Sequence, residues 1–282
     1  MRHPGLIRQR DKASADTLAR LRARIARIER IGGAQQVVCP LGVPAIDEAL
    51  PWGGLPLGAL HEITGVAERD LAAQSFAAVL LGVLAQADRG HHGGRPVLWI
   101  APDEGPYAPA LPGFGLDPAQ VTTVRARRPT DALWALEEAV RCPSLAAVLA
   151  EGPRPDFAQS RRLQLAASES GVTPLLLQPA LDPLPSSAAV TRWQVKAAKS
   201  APESQMEESG DETAGSETVG YARWRLALLR CRGGRPRNWL AEWNHETSCL
   251  KAHRLEADSL AVAADARDRP DRAPTRSTCE AA

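Results

Sequence analysis

The sequence predicts an α/β protein built on a mainly parallel sheet flanked by helices and closed by an antiparallel hairpin. Three observations carry this. Short apolar runs at 97–101 (VLWIA), 121–125, 145–150 (LAAVLA) and 174–178 read as buried strands. Segments with helical spacing lie between them, at 72–84, 131–141 and 156–170, and strands separated by helices of about 10 to 15 residues need crossovers, hence a parallel sheet covered on both faces. Finally, Gly233-Gly234-Arg235-Pro236 separates two alternating runs, 221–232 and 237–245, the pattern of a hairpin.

Taken in order, residues 1–35 form a basic arm and an amphipathic helix. Nine Lys/Arg in residues 1–31 face only Asp11, Asp16 and Glu29, while Leu18, Leu21, Ile25, Ile28 and Ile31 recur at three- and four-residue steps. Such a stripe docks on its own core, grips a partner helix, or lies on a membrane or DNA. Its moderate width favours a partner or self-association over a membrane. Gly32-Gly33 ends the helix.

The core begins near residue 36 and is organised around one stretch. Gly53-Gly54-Leu55-Pro56 is a turn, residues 57–64 are an apolar strand ending in Gly65, and the 72–84 helix follows. Strand, loop and helix in that order are the setting of a phosphate-binding loop, G-x-x-x-x-G-K-[ST]. Counted from Gly65, that pattern requires Gly, Lys and Ser or Thr where this chain has Asp70, Leu71 and Ala72. The loop glycine, the phosphate lysine and the magnesium hydroxyl are therefore all absent. A carboxylate ~4 Å from one phosphate charge costs about 4 kcal/mol at an effective dielectric of about 20, roughly three decades in dissociation constant. A helix N-terminus also wants a capping acceptor and a negative charge, so Asp70, with Glu68, is expected to fill the anion site of its own loop. An ordinary strand-loop-helix that never bound nucleotide would carry the same residues.

Further along, Thr130 stands as N-cap of the 131–141 helix. Asp103 and Glu104 follow the VLWIA strand, and Glu151 ends the LAAVLA strand. Both positions are C-terminal strand ends, where open α/β sheets place ligand sites. Residues 188–198 alternate as a strand, with Trp193 and Val195 on one face and Arg192, Gln194 and Lys196 on the other. Residues 199–220 carry six acidic side chains among Ser, Thr, Gly and Ala without apolar periodicity, and read as an acidic disordered insert. In the hairpin, Arg223, Arg225, Arg230, Arg232, Arg235 and Arg237 crowd fifteen residues, interleaved with Trp224 and Trp239. That composition suits a DNA-contacting surface. Strand alternation favours the plainer reading, because it accounts for the tryptophans without any ligand, as a solvated basic face with the tryptophans packed inside. His245, Cys249 and His253 fall at helical i, i+4 and i+8 spacing, but no CxxC or fourth ligand accompanies them, so no metal is expected. Residues 251–282 read as a flexible tail. Serines lack a nucleophile elbow and the thiols lack a recognisable His partner in sequence, so no catalytic residue is assigned.

Residues 41–50 and 53–63, LGVPAIDEAL and GGLPLGALHEI, together with Gly65, resemble the segment that leads into the phosphate loop of RecA-type ATPases, and Gly115-Leu116-Asp117-Pro118 resembles the same core. With the nucleotide residues missing, the chain most resembles the ImuA family, RecA/SulA-like accessory proteins of bacterial damage-induced mutagenesis. The resemblance covers about residues 36–245 and rests on the order of local patterns. It implies a RecA-like core that binds no nucleotide and needs no cofactor, with Glu151 and Glu104 as relic or structural acidic positions, because Ala72 offers magnesium no hydroxyl. It implies an adaptor that works with an ImuB-type inactive polymerase homologue and an error-prone replicative-type DNA polymerase, with RecA and single-stranded DNA as further candidates. The partner surface would be the basic N-terminal helix or the region of Trp239, Trp243 and Leu250. Two other classes remain open: a DNA-dependent ATPase or recombinase, and a SulA-like cell-division inhibitor.

Composition agrees with this frame. At 282 residues the chain holds one substantial domain, here 36–250, plus extensions. A net charge of +1 excludes a general affinity for polyanions, so any such site must be local. The five scattered cysteines are an odd number and predict reduced thiols in a cytoplasm, and the resemblance implies nucleoid association when active. The start, MRHPGLIRQRDK, has no apolar segment of a signal peptide, and no run approaches a membrane span.

Overall fold

The computed structural model describes residues 37–66, 70–87, 95–179, 185–199 and 221–255. The N-terminal stripe, Glu68, the acidic insert and the last residues lie outside the described residues.

In chain order the elements are β1 (Val38–Cys39), α1 (Pro44–Asp47), β2 (Leu55–Pro56), β3 (His61–Thr64), α2 (Leu71–Gln86), β4 (Val97–Ala101), β5 (Val121–Arg125), α3 (Pro129–Val140), β6 (Ala147–Glu151), α4 (Phe157–Ser170), β7 (Thr173–Gln178), β8 (Thr191–Ala198), β9 (Ala222–Cys231), β10 (Arg237–Asn244) and β11 (Cys249–Arg254). Nine strands form one sheet in the order β11-β10-β9-β8-β3-β7-β6-β4-β5. From β5 to β8 every pairing is parallel, and from β8 to β11 every pairing is antiparallel. This is the RecA-like α/β arrangement expected from the sequence, with β7 inserted between β3 and β6. β1 and β2 make a separate two-stranded ribbon.

Two cores follow from the crossovers. On one face α2 is buried along ten positions against the centre of the sheet. Phe76 sits in an aromatic cluster there, its ring centroid 6.0 Å from Trp193 and 5.9 Å from Trp224, with Trp193 and Trp239 5.8 Å apart. On the other face α3 and α4 bury Leu136, Val140, Leu163 and Ala167 against Ile100, Val148 and Leu176. Asp47 ties the chain into this frame by accepting from the backbone N–H groups of Leu41 (2.9 Å) and Val43 (3.1 Å). The Trp239 indole donates to the Ala45 carbonyl at 2.9 Å and docks α1 on β10.

Several expectations are corrected. The strand expected over 57–64 is confined to β3, because the Leu57 and Gly58 amides bond the Val37 carbonyl and the Thr173 hydroxyl and not a strand ladder. α3 begins at Pro129, whose preset φ suits the first helical position, so Thr130 lies inside the helix and Arg128 is the N-cap. β5, read as buried, is the sheet edge and exposes Thr122, Thr123 and Arg125. The segment holding Cys249 and His253 is strand β11, which continues the core through Arg254, beyond the boundary expected at 250. Helical spacing does not apply there: both side chains are exposed, and among the described residues no group of three or more His, Cys, Asp or Glu is placed to hold a metal. No helix among the described residues is long and apolar enough to cross a membrane.

His61 shows how fully the sheet centre is satisfied. Its ring is buried, Nε2 lies 2.9 Å from the Pro56 carbonyl and Nδ1 lies 2.7 Å from the Thr191 hydroxyl. A carbonyl only accepts, so Nε2 carries the proton and Nδ1 accepts from Thr191, whose oxygen accepts in turn from the Trp193 indole at 2.9 Å. Burial pushes the His61 pKa down to about 4. The unfolded chain therefore binds a proton that the native state refuses, so stability is intact above the unfolded pKa of about 6.5 and falls as pH drops toward 4, by about 3 kcal/mol. Urea midpoints measured from pH 7.5 to 4 should show this slope, and His61→Gln should lack one proton's worth of it.

Candidate functional site

The C-terminal ends of β3, β4, β6 and β7 open on a cleft of about 920 Å³. Its lining includes Gly65, Asp70, Leu71, Gln74, Asp103, Glu151 and Arg154. The sequence placed its phosphate loop and acidic positions here, and the fold brings Gly65, Asp70, Leu71 and Glu151 to this one site. Glu104 is exposed and does not line the cleft, whereas Asp103 does.

The loop is built around Asp70. One carboxylate oxygen accepts from the Val66 amide at 2.8 Å, and the other from the Ala72 (3.0 Å) and Ala73 (3.4 Å) amides in the first turn of α2. Asp70 is thus the N-cap of a sixteen-residue helix and a clamp across the loop that precedes it. Backbone donors from a loop and a helix N-terminus converging on negative charge are the ingredients of an anion cradle. Here the anion is part of the chain. Gly65 is the counterpart of this arrangement, because a Cβ on it would lie 2.2 Å from the Asp70 Cβ, an impossible contact. At the two positions that follow, Leu71 points outward with 74% of its surface exposed and Ala72 carries no hydroxyl.

Glu151 is engaged from two sides. Its carboxylate accepts from the Trp99 indole at 2.5 Å and from the Gln74 amide at 3.1 Å, linking β6, β4 and α2. These bonds hold the Glu151 carboxylate across the floor of the cleft.

A second charged constellation was missed at the level of sequence. Glu62 and Arg192 are neighbours across the β3–β8 parallel pair, both buried, with the guanidinium Nη2 2.6 Å from the carboxylate. The Ser187 hydroxyl also donates to Glu62, and Arg192 donates to the Pro185 carbonyl at 2.9 Å. The signals were the acid inside the apolar run LHEIT and an arginine in an alternating strand. Their pairing spans 130 residues and depends on strand order.

The hairpin arginines are divided by the antiparallel turn. Arg223 and Arg225 lie at the cleft end of the sheet, while Arg230, Arg232, Arg235 and Arg237 lie around the turn at the other end. Arg223 pairs with Glu242 at 2.5 Å, and Arg230 and Arg232 donate to the Ser187 (2.5 Å) and Ala188 (3.5 Å) carbonyls. Trp224 packs inside as strand alternation requires. Trp239, Trp243 and Leu250, expected at a partner surface, are buried, and the Trp243 indole donates to the Gly113 carbonyl at 2.7 Å. Aromatic weight in a hairpin reads as a docking surface until strand parity turns it inward. The two buried thiols offer no reactive site, because burial pushes Cys39 and Cys231 up to about 11.

Strand order and cleft together define a RecA-like α/β protein with a helix-capping carboxylate, Asp70, at the mouth of its cleft. No family model matches the chain. Two curated relatives, both named Protein ImuA, from Caulobacter vibrioides strains NA1000/CB15N and ATCC 19089/CB 15, are each 35% identical over 217 residues, covering 73% of this chain and 83% of the relative. The chain belongs to the ImuA family. Among solved structures, a KaiC-like protein from the archaeon Pyrococcus horikoshii OT3 aligns with a TM-score of 0.48 at 16% identity, over 78% of this chain and all of that one.

Proposed function

We propose that this protein is a non-catalytic RecA-like adaptor in SOS-induced, mutagenic translesion DNA synthesis. In this reading it bridges an ImuB-type inactive relative of the translesion polymerases and, through it, an error-prone replicative-type DNA polymerase, with RecA and single-stranded DNA as further contacts. Family membership supports the pathway. The observation that carries the non-catalytic part is the Asp70 carboxylate held by the Val66, Ala72 and Ala73 amides. A nucleotide phosphate would have to displace that carboxylate, lose three donors to it, and then sit beside its charge without a lysine. Mutagenic synthesis would then depend on what the core presents to its partners.

Calorimetric titration with Mg-ATP, with and without single-stranded DNA, is expected to show no binding up to millimolar nucleotide and no phosphate release. Micromolar binding or DNA-stimulated release would replace the adaptor with a DNA-dependent ATPase. Co-expression should recover a stoichiometric complex with the ImuB-type protein. Division arrest on overproduction without such a complex would instead favour a SulA-like inhibitor.

A further inference from the structure

We propose that the β5 edge of the sheet carries a binding site for single-stranded nucleic acid, formed by Arg125, Arg127, Arg128 and Trp134. It is separate from the hairpin arginines and does not depend on the adaptor reading.

β5 ends at Arg125 on the cleft side of the sheet, and the chain passes through Arg127 and Arg128 directly into α3. These residues and Trp134 on α3 line a groove of about 470 Å³, and the main cleft lies on the other side of the first turns of the same helix. All three arginines are exposed, and none forms an ion pair or side-chain hydrogen bond with a described residue. The contrast with Arg192, Arg223, Arg230 and Arg232 is direct, since each of those is engaged by a carboxylate or a carbonyl. The groove holds one carboxylate, Asp131. Three guanidinium groups against one acid create a strong local positive potential in a chain whose net charge is only +1. α3 adds to it, because its N-cap is Arg128 and no side chain caps its first turn.

Trp134 distinguishes this groove from a merely solvated basic edge. Of the seven tryptophans, five are buried and Trp52 is half-buried, while Trp134 alone is exposed, at 67%. A bare indole beside unpaired guanidinium groups offers a stacking face for an unpaired base and charge for its phosphates. Bases in a duplex are already stacked, and an acidic peptide supplies charge but no aromatic face, so single-stranded nucleic acid fits both features. Helix and strand positions also fix the site, since Trp134 and Arg125 sit on regular elements that share the core through Leu136 and Ala126.

The test uses the full-length protein and a fluorescent thymidine oligonucleotide of about 20 nucleotides, followed by anisotropy across a salt series. Arg127→Ala with Arg128→Ala should weaken binding at least tenfold and flatten the plot of log K against log salt by about 1.4, at ~0.7 for each phosphate that is no longer neutralised. Trp134→Ala should weaken binding about tenfold, with Trp134→Phe retaining most of it. Bound oligonucleotide should protect wild-type fluorescence from iodide, which reaches chiefly Trp134. Circular dichroism and thermal melts should be unchanged, because all these side chains are exposed. No oligonucleotide binding by the wild type, or equal binding by these variants, would overturn the proposal. So would loss only in Arg225→Ala and Arg235→Ala, which would place DNA on the hairpin. Tighter binding of a polyglutamate peptide would assign the groove to an acidic protein segment and equally end it.

Discussion

Replacing Arg192 by alanine is expected to destabilise the protein by about 3 to 5 kcal/mol, the typical result of stranding one member of a buried ion pair. Glu62 would keep the Ser187 hydroxyl but lose the cation that makes its charge tolerable, at 1% exposure. The loss would also free the Pro185 carbonyl, loosening the segment that runs from 185 into β8. For a domain stable by about 5 to 15 kcal/mol this approaches unfolding at growth temperature. The double variant Glu62→Gln with Arg192→Met should be clearly more stable than the sum of the single changes, since neither partner is then left as a lone buried charge. Urea denaturation of the four proteins gives the coupling directly. Additive effects would mean that the pair is solvated in solution.

That ion pair also marks where the sequence stopped being legible. Several local elements could be read from periodicity: α2, β4, β6, α4 and the β9–β10 hairpin lie within a few residues of their expected positions. Helical spacing starts at Asp156, which is the N-cap of α4 and forms a full capping box with Gln159. What local pattern does not encode is which strands are neighbours. The Glu62–Arg192 contact and the edge position of β5 both follow from strand order. β11 was missed for a related reason. CLKAHR is short and polar, and it is held as a strand only by its cross-strand pairing with β10.

The candidate site divides in the same way. Spacing from Gly65 identified Asp70, Leu71 and Ala72, and the chemistry of a helix N-terminus supplied a role for Asp70 as its own anion. The bonds from Glu151 to Trp99 and Gln74 could not be read, since they join three elements separated in sequence by other strands and helices. The same holds for the basic groove at β5. In sequence, Arg125, Arg127 and Arg128 are an ordinary charged loop. They become notable only beside Trp134 and in the absence of described partners.

The mutual fit of Gly65 and Asp70 supplies the most direct test of the loop. Asp70→Gly removes the capping carboxylate and the negative charge at the start of α2 but leaves a tolerated N-cap residue, and should cost about 1 kcal/mol. It also leaves the Val66, Ala72 and Ala73 amides without an acceptor, so sulfate, phosphate or Mg-ATP at millimolar concentration should raise the melting temperature of this variant and leave the wild type unmoved. Gly65→Ala in the wild type drives a Cβ to within 2.2 Å of the Asp70 Cβ, at the root of the side chain where no rotamer change can relieve it. Overpacking of that kind costs about 1 to 3 kcal/mol, and the upper end is expected here. In the Asp70→Gly background the obstructing atom is gone, and the cost of Gly65→Ala should shrink by about 1 to 2 kcal/mol. Two changes that each harm the loop would then be less than additive. Full additivity, with no anion response in Asp70→Gly, would mean that the carboxylate caps a helix without occupying a cradle, leaving only Leu71 and Ala72 to oppose a nucleotide.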